Sequence, residues 1–253
     1  MKFSTWTGRD RDRLRRAGAV AAATLASVGA RIRAGVTTYE IDQWVREDTA
    51  ARGAAPSQLG YHGFPASVCT SVNEVVCHGV PSRTRVLREG DIINVDVTSC
   101  FHGFHGDTSA TFFVGEPAPR VRELVETTRA CRDAGIAVAR HGAHLGDIGA
   151  AIEELARAHG LSVVRDFGGH GIGREMHTAP HVPHFGRRGM GPRLVAGMAI
   201  TIEPMLNLGR PDVILLDGEW NVVTADGAWS AQFEHTILIE KDGAEILTLS
   251  SSP

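Results

Sequence analysis

Residues 91–99 read DIINVDVTS, with Ile93, Val95 and Val97 alternating against Asn94, Asp96 and Thr98. Such alternation predicts a strand with one apolar and one polar face, because successive side chains leave opposite sides. The same parity recurs three times. Asp107, Ser109 and Thr111 oppose Ala110, Phe112 and Val114; Thr201 and Glu203 oppose Ile200 and Ile202; Gln232, Glu234 and Thr236 oppose Phe233 and Ile237. NVVTADG at 221–227 and the rest of 231–250 are also β-branched or alternating, as strands are. Helical spacing runs through 119–140 and 145–160. Thr37 and Glu40 form a capping-box pattern that opens a helix over Ile41, Trp44 and Val45. Residues 13–30, RLRRAGAVAAATLASVGA, have basic residues before a weakly apolar run, but alanine and glycine supply little hydrophobic drive and Arg31 and Arg33 follow at once. The stretch reads as a surface helix rather than a secretory signal. Helices and hairpins without strict βαβ alternation predict an α+β fold.

The two halves of the chain match at one constant offset. RAGVTTYEIDQWVREDTAARG at 33–53 lies over RHGAHLGDIGAAIEELARAHG at 140–160, so that Gly35 falls on Gly142, Ile41 on Ile148 and Gly53 on Gly160. The register survives unlike sequence to set GDIINVD at 90–96 over GMAITIE at 197–203, making Asp96 the counterpart of Glu203. Two halves, about 10–115 and 117–245, are predicted, each with a helix pair and a strand that ends in a carboxylate, related by a pseudo-twofold axis. A repeat this long and this few in number is not a solenoid.

Composition adds boundaries rather than a function. With 253 residues the chain can bury a full core, as one large domain or two small ones. A net charge of -3 argues against a polyanionic partner, and Arg9–Arg16 is interleaved with Asp10 and Asp12 as on a solvated helix face. Cys69, Cys77, Cys100 and Cys131 form no close pair and read as reduced thiols of a cytoplasmic protein. No segment is long and apolar enough to cross a bilayer.

The candidate chemistry lies on the polar faces. For any one of Asp96, Asp107, Glu203 and Glu234, a solvated strand face is the ordinary explanation. Four together, tied by the repeat, repel one another unless a cation sits among them. Glu203 is the sharpest case, because GMAITIEPM is almost continuously apolar around it and a buried unpaired charge is costly. FGGHGIGREMH at 167–177 adds His170 in a glycine-rich loop and His177 seven residues on. Its glycine spacing departs from G-x-G-x-x-G and no Lys-Ser/Thr follows, so a phosphate loop is disfavoured. His141, His144 and His159 fall on helix ends or loops and read as surface residues. One imidazole with four carboxylates and no thiolate suits a pair of divalent ions, Mn, Fe(II), Co(II) or Zn, rather than a structural zinc site. Paired ions activate a water and polarise a carbonyl.

YHGFPASVCTSVNEVVCHGVP, GDIINVDVTSCFHGFHGDTSATFFVG, GGHGIGREMH, GMAITIEPM and SAQFEHTILIE together resemble the type I methionine aminopeptidases of the pita-bread fold, over about residues 35–241. The resemblance implies a single catalytic domain over 1–253 with a central antiparallel sheet covered by helices. It implies that Asp96, Asp107, His170, Glu203 and Glu234 bind two metal ions, with Asp107 and Glu234 bridging them. His78 would contact the substrate backbone, His177 would stabilise the transition state, and Glu203 would double as general acid/base. Tyr61, Phe64, Cys69, Met176 and Trp220 would line the methionine pocket, soft and aromatic surfaces suited to sulfur. The implied function is removal of the initiator methionine when the second residue is small. The expected partners are nascent polypeptide N-termini and, transiently, the ribosome, with no nucleic-acid recognition and no membrane; a cytoplasmic monomer is expected.

Four positions depart from the bacterial pattern. Gln58 stands where many relatives carry cysteine, Met176 where an aromatic is common, and Thr178 and Ala179 where acidic residues are usual. A short interval from His177 to Glu203 favours type I over type II. Two alternatives compete with initiator-methionine removal. An Xaa-Pro aminopeptidase or dipeptidase of the same fold would carry a further N-terminal domain, for which about 35 residues before Gly35 are too few. A non-catalytic pita-bread binding protein would be expected to have lost ligands, and all five are present.

Overall fold

The computed structural model describes residues 3–216 and 220–249. The ends of the expected 1–253 domain, and the last residue of the expected 231–250 strand run, lie outside them. The first half runs α1 (Gly8–Gly29), α2 (Thr38–Ala51), β1 (Ala55–Pro56), β2 (Cys69–Val72), β3 (Val75–Cys77), β4 (Ile92–Phe101) and β5 (Phe104–Phe113). The second runs α3 (Pro119–Val138), α4 (Leu145–Ala158), β6 (Ser162–Val163), β7 (Gly169–Gly171), β8 (Thr178–Val182), β9 (Ala199–Ile202) and β10 (Met205–Asn207). It continues through β11 (Val213–Leu215), β12 (Val222–Thr224), β13 (Ser230–Gln232), β14 (His235–Ile239) and β15 (Ala244–Ile246).

All pairings between these strands are antiparallel. β4 pairs with β5 along its whole length and with β1 and β2 at separate places. A five-stranded sheet runs in the order β15-β14-β9-β7-β8, and smaller sheets β13-β10-β6 and β11-β12-β3 complete the set. The α+β reading is therefore borne out.

Matched elements sit 107 residues apart. α2 begins at Thr38 and α4 at Leu145; β4 begins at Ile92 and β9 at Ala199. The helix starts match in detail. Thr37 N–H donates to the Glu40 carboxylate at 2.8 Å, and His144 N–H to the Asp147 carboxylate at 2.7 Å. The isolated bridges Thr37↔Val86 and His144↔Arg193 keep the same spacing.

Helices pack against the sheets, α1 on β4 and β5 and α3 on β9, β10 and β13. α3 and α4 enclose the larger apolar core with Leu124, Ile148, Ile152, Ile200 and Ile237, while Ile41, Val45, Ile93, Val95 and Val97 form the core of the first half. α1 is less superficial than its alanines suggest: Leu14, Ala17, Gly18, Ala21, Ala22, Leu25 and Val28 are all buried. Its small residues serve close approach. A Cβ on Gly106 of β5 would fall 2.4 Å from the Gly18 nitrogen, so helix and strand meet almost backbone to backbone.

The acids differ from expectation in one respect. Asp96 lies in mid-strand, paired with Ser109 and with Cys69. Glu203 follows the end of β9, and Glu234 falls between β13 and β14, where the chain passes from one sheet to another. Proline after Glu203 has no N–H for a ladder, which helps to end the strand there.

Candidate metal centre

All twelve residues singled out from the sequence line one cavity of about 360 Å³: His78, His177, Glu203, Asp96, Asp107, His170, Glu234, Tyr61, Phe64, Cys69, Met176 and Trp220. Gln58, His62 and Thr98 line it as well. β4 and β5 carry the two aspartates, and their register places Thr98 opposite Asp107. The Thr98 hydroxyl donates to Asp107 Oδ1 at 2.7 Å. The Thr236 hydroxyl accepts from the Asp107 N–H at 3.0 Å and donates to its carbonyl at 2.8 Å, tying β14 to β5 at this residue.

Glu203 is held at three points. Thr201 donates its hydroxyl to Oε1 at 2.7 Å, and Gln232 donates its amide to Oε2 at 3.3 Å. His184 Nε2 accepts the Glu203 N–H at 3.0 Å. His170 Nε2 stands 3.5 Å from Oε1 of the same carboxylate and 3.8 Å from Asp107 Oδ2. His170 Nδ1 donates to the Gly171 carbonyl at 3.1 Å, leaving Nε2 with its lone pair toward the acids. Thr201 also accepts the His170 N–H at 2.9 Å, so one hydroxyl positions two of the five candidate ligands.

Sequence reasoning did not single out Thr201, Gln232, His184, Thr98 or His62 for a role. The first two and Thr98 share strand parity with the acids, which was a usable signal. His184 sits in an aperiodic loop and His62 in a single 3-10 turn, Tyr61–Gly63, and neither carried one.

Asp96, Asp107, Glu203 and Glu234 are crowded and shielded from water. Burial, then the charges of Asp107 and Glu203, hold the Asp96 carboxyl well above the usual carboxylate range. Glu234 is raised in the same way, by burial and then by Asp107, Glu203 and Asp96. Burial pushes Asp107 up to about 7 against the hydrogen bond from Thr98, and Glu203 up to about 8 against that from Thr201. Burial and the neighbouring His177 bring His170 down to about 3, so its imidazole is neutral.

The donor set fits a divalent cation. Asp96 Oδ1 and Glu234 Oε1 are buried with no hydrogen-bond partner, which is costly for a carboxylate unless something else binds it. Ligand atoms within 4.8 Å of one another come from His170, Glu203 and Glu234, from Asp96, Asp107 and Glu234, and from Asp107, His170 and His177. Carboxylate oxygen and imidazole nitrogen suit hard or borderline ions. The Cys69 and Cys77 thiols stay out of this set, since burial raises both well above the ordinary thiol range.

The rest of the cavity is histidine and aromatic surface. His177 shares a hydrogen bond of 2.9 Å with the Tyr61 hydroxyl and stacks edge-on to His170, ring centroids 4.1 Å apart. Burial lowers His177 to about 4 and also lowers His78. His78 adopts a left-handed backbone (φ 57°). The next residue must be small: a Cβ on Gly79 would lie 2.1 Å from the Thr70 carbonyl oxygen, against which the loop is folded. Phe64 and Trp220 meet edge-to-face at 5.5 Å, and Phe64 packs with Cys69 as one apolar group.

The sequence profile of metallopeptidase family M24 matches residues 12–241. The chain belongs to this family. Within the M24 metallopeptidases its similarity is to methionine aminopeptidases. It is 53% identical to methionine aminopeptidase A of Synechocystis sp. over 241 residues, 95% of each chain. It is 46% identical to the methionine aminopeptidase of Rickettsia prowazekii, over 99% of this chain and 96% of that one. The crystal structure of the methionine aminopeptidase from Rickettsia prowazekii superposes with a TM-score of 0.96, covering 98% of this chain and all of the other at 44% identity. A prolidase from Pyrococcus furiosus, at 20% identity and a TM-score of 0.77, shares the fold alone, covering 98% of this chain and 66% of its own. These likenesses bear out the resemblance seen in the motifs and the pita-bread fold it implied.

Proposed function

We propose that this M24 metallopeptidase removes the initiator methionine from nascent proteins whose second residue is small. The observation that carries the reading is the buried acid cluster with two oxygens unbonded, opening into a cavity walled by Phe64, Cys69, Met176 and Trp220. Asp96, Asp107, His170, Glu203 and Glu234 would hold two divalent ions, with Asp107 and Glu234 shared between them. Mn, Fe(II), Co(II) and Zn all suit these donors. When bound, such ions supply an activated water, a polarised carbonyl and a counter-charge for the acids.

The chain's own groups supply the remainder. Phe64, Cys69, Met176, Trp220 and Tyr61 take the methionine side chain, where a thioether finds aromatic edges and sulfur. His78, neutral through burial, holds the substrate backbone. His177, braced by Tyr61, donates to the oxygen on which charge develops. Glu203 would accept a proton from the attacking water and return it to the leaving amine. Thr201, Gln232 and His184 keep it in place.

The catalytic unit is taken to be one domain over 1–253, with pseudo-repeats near 10–115 and 117–245. It would work as a cytoplasmic monomer on nascent N-termini, with a transient ribosome contact. Four free cysteines accord with a reducing compartment. Among the described residues no helix is long and apolar enough to cross a membrane.

The test is a peptide panel with metal-loaded protein. Met-Ala-Ser is expected to be cleaved, and Val-Ala-Ser and N-acetylated peptide to resist. Equal turnover of Xaa-Pro peptides would overturn the reading.

A further inference from the structure

Two strands and the segment before α1 meet at the middle of the loop that runs from His170 to His177. Ile172 N–H donates to the Ala199 carbonyl of β9 at 3.1 Å, on the strand that leads to Glu203. The Gly173 carbonyl accepts the His105 N–H of β5 at 2.8 Å, just before Asp107 in the chain. Trp6 closes the junction. Its backbone N–H donates to the Gly197 carbonyl at 2.7 Å, and its indole Nε1 to the Ile172 carbonyl at 3.3 Å. A Cβ on Gly173 would fall 2.1 Å from Trp6 Cζ2, so the indole fills the space that a side chain there would need.

Trp6 is itself firmly held. Its ring meets the fully buried Phe104 edge-on at 5.3 Å. Its carbonyl accepts from Arg11 Nε at 2.9 Å, and Arg11 Nη1 pairs with Glu240 at 2.7 Å. The loop brings little apolar bulk of its own, because glycines stand at 168, 169, 171 and 173 and Ile172 is the residue among them that joins a core. Glycines leave a backbone many conformations, so the contacts around them must select one. His170 depends on that selection directly. Its Nδ1 donates to the Gly171 carbonyl at 3.1 Å, one peptide away from the carbonyl that Trp6 holds.

We propose that Trp6 is a positioning residue for the metal centre: by clamping Ile172 and Gly173 it fixes the Gly171 carbonyl, and through it the direction in which His170 Nε2 points. The inference rests on the reading above only in taking His170 as a metal ligand. Phe3, on the same segment, packs against the larger core instead and supplies the control.

The experiment compares Trp6→Ala and Phe3→Ala with wild type, at a temperature where circular dichroism shows all of them folded. Trp6→Ala is expected to weaken Mn(II) binding by calorimetry and to lower kcat on Met-Ala-Ser, each about tenfold, the lower end of the cost of losing a ligand's support. KM is expected to stay near wild type, since the group lost is one that places the chemistry rather than the substrate. Phe3→Ala is expected to lower the melting temperature while leaving kcat and metal affinity near wild type. In metal-free protein the imidazole nitrogen NMR signals of His170, assigned by their absence from His170→Asn, are expected to move in Trp6→Ala and not in Phe3→Ala. Wild-type metal affinity or unmoved imidazole signals in Trp6→Ala would overturn the proposal, as would equal effects of Phe3→Ala. Failure of the wild type to cleave Met-Ala-Ser would sink the aminopeptidase reading instead, and failure to bind Mn(II) the metal reading; the imidazole signals would then decide the role of Trp6 alone. Should Trp6→Ala not fold, Trp6→Leu, apolar but without a flat ring, replaces it with the same expectations.

Discussion

Thr201 serves two neighbours with one hydroxyl, donating to Glu203 and accepting from the His170 backbone. Thr201→Val keeps the shape and removes both bonds. Metal affinity or kcat/KM is expected to fall about 10–100-fold, the usual cost of losing an outer partner of a ligand. Asp107→Asn is expected to abolish metal-dependent cleavage while leaving a folded chain by circular dichroism; unchanged activity would reject the site. At this scale much was legible. Strand parity put Asp96, Asp107, Glu203 and Glu234 on polar faces, and the same parity held Thr98, Thr201 and Gln232. His184 was not legible, because it reaches Glu203 from a loop whose residues follow no period.

Helix α2 begins with the capping box read from Thr37 and Glu40, complete with reciprocal bonds to both backbone groups. Thr37→Ala should cost about 1 kcal/mol in urea unfolding, as for other caps. Gly106→Ala is expected to cost about 1–3 kcal/mol, since α1 and β5 would have to separate. That contact explains why the sequence understated α1. Single alanines and glycines carry little hydrophobic drive, yet in a row they let a helix settle against a strand. The strand ends were also unreadable. Parity continues through Ile202 and Phe233, whereas the hydrogen-bonding partners change at Glu203 and Glu234 as the chain moves between sheets.

For the molecule as a whole, the acid cluster opposes folding when no cation is present. Asp107 and Glu203 are raised to about 7 and about 8, above their ordinary values, so the metal-free fold binds more protons than the unfolded chain. The stability they contribute is present at low pH and is lost as pH rises through those values. His170, lowered to about 3 from an ordinary 6.5, works the other way but only below about 6.5. From about pH 6.5 to 8.5, metal-free protein should therefore melt at progressively lower temperature. Bound Mn(II), by taking the place of those protons, should flatten the slope. At one hundred times Kd it should contribute about 2.7 kcal/mol, a melting shift of roughly 5–10 °C for a chain of this size. The repeat foretold this architecture, because halves 107 residues apart bring Asp96 and Glu203 to one cavity.

Divalent ions are expected to replace protons on these buried carboxylates. Titration of metal-free protein with Mn(II) by calorimetry, repeated in buffers of different ionisation enthalpy, counts the protons displaced. Net proton release is expected, larger near about pH 6.5 than about pH 8.5 and reduced in Asp107→Asn. Binding without proton release, or no binding at saturating metal, would contradict it.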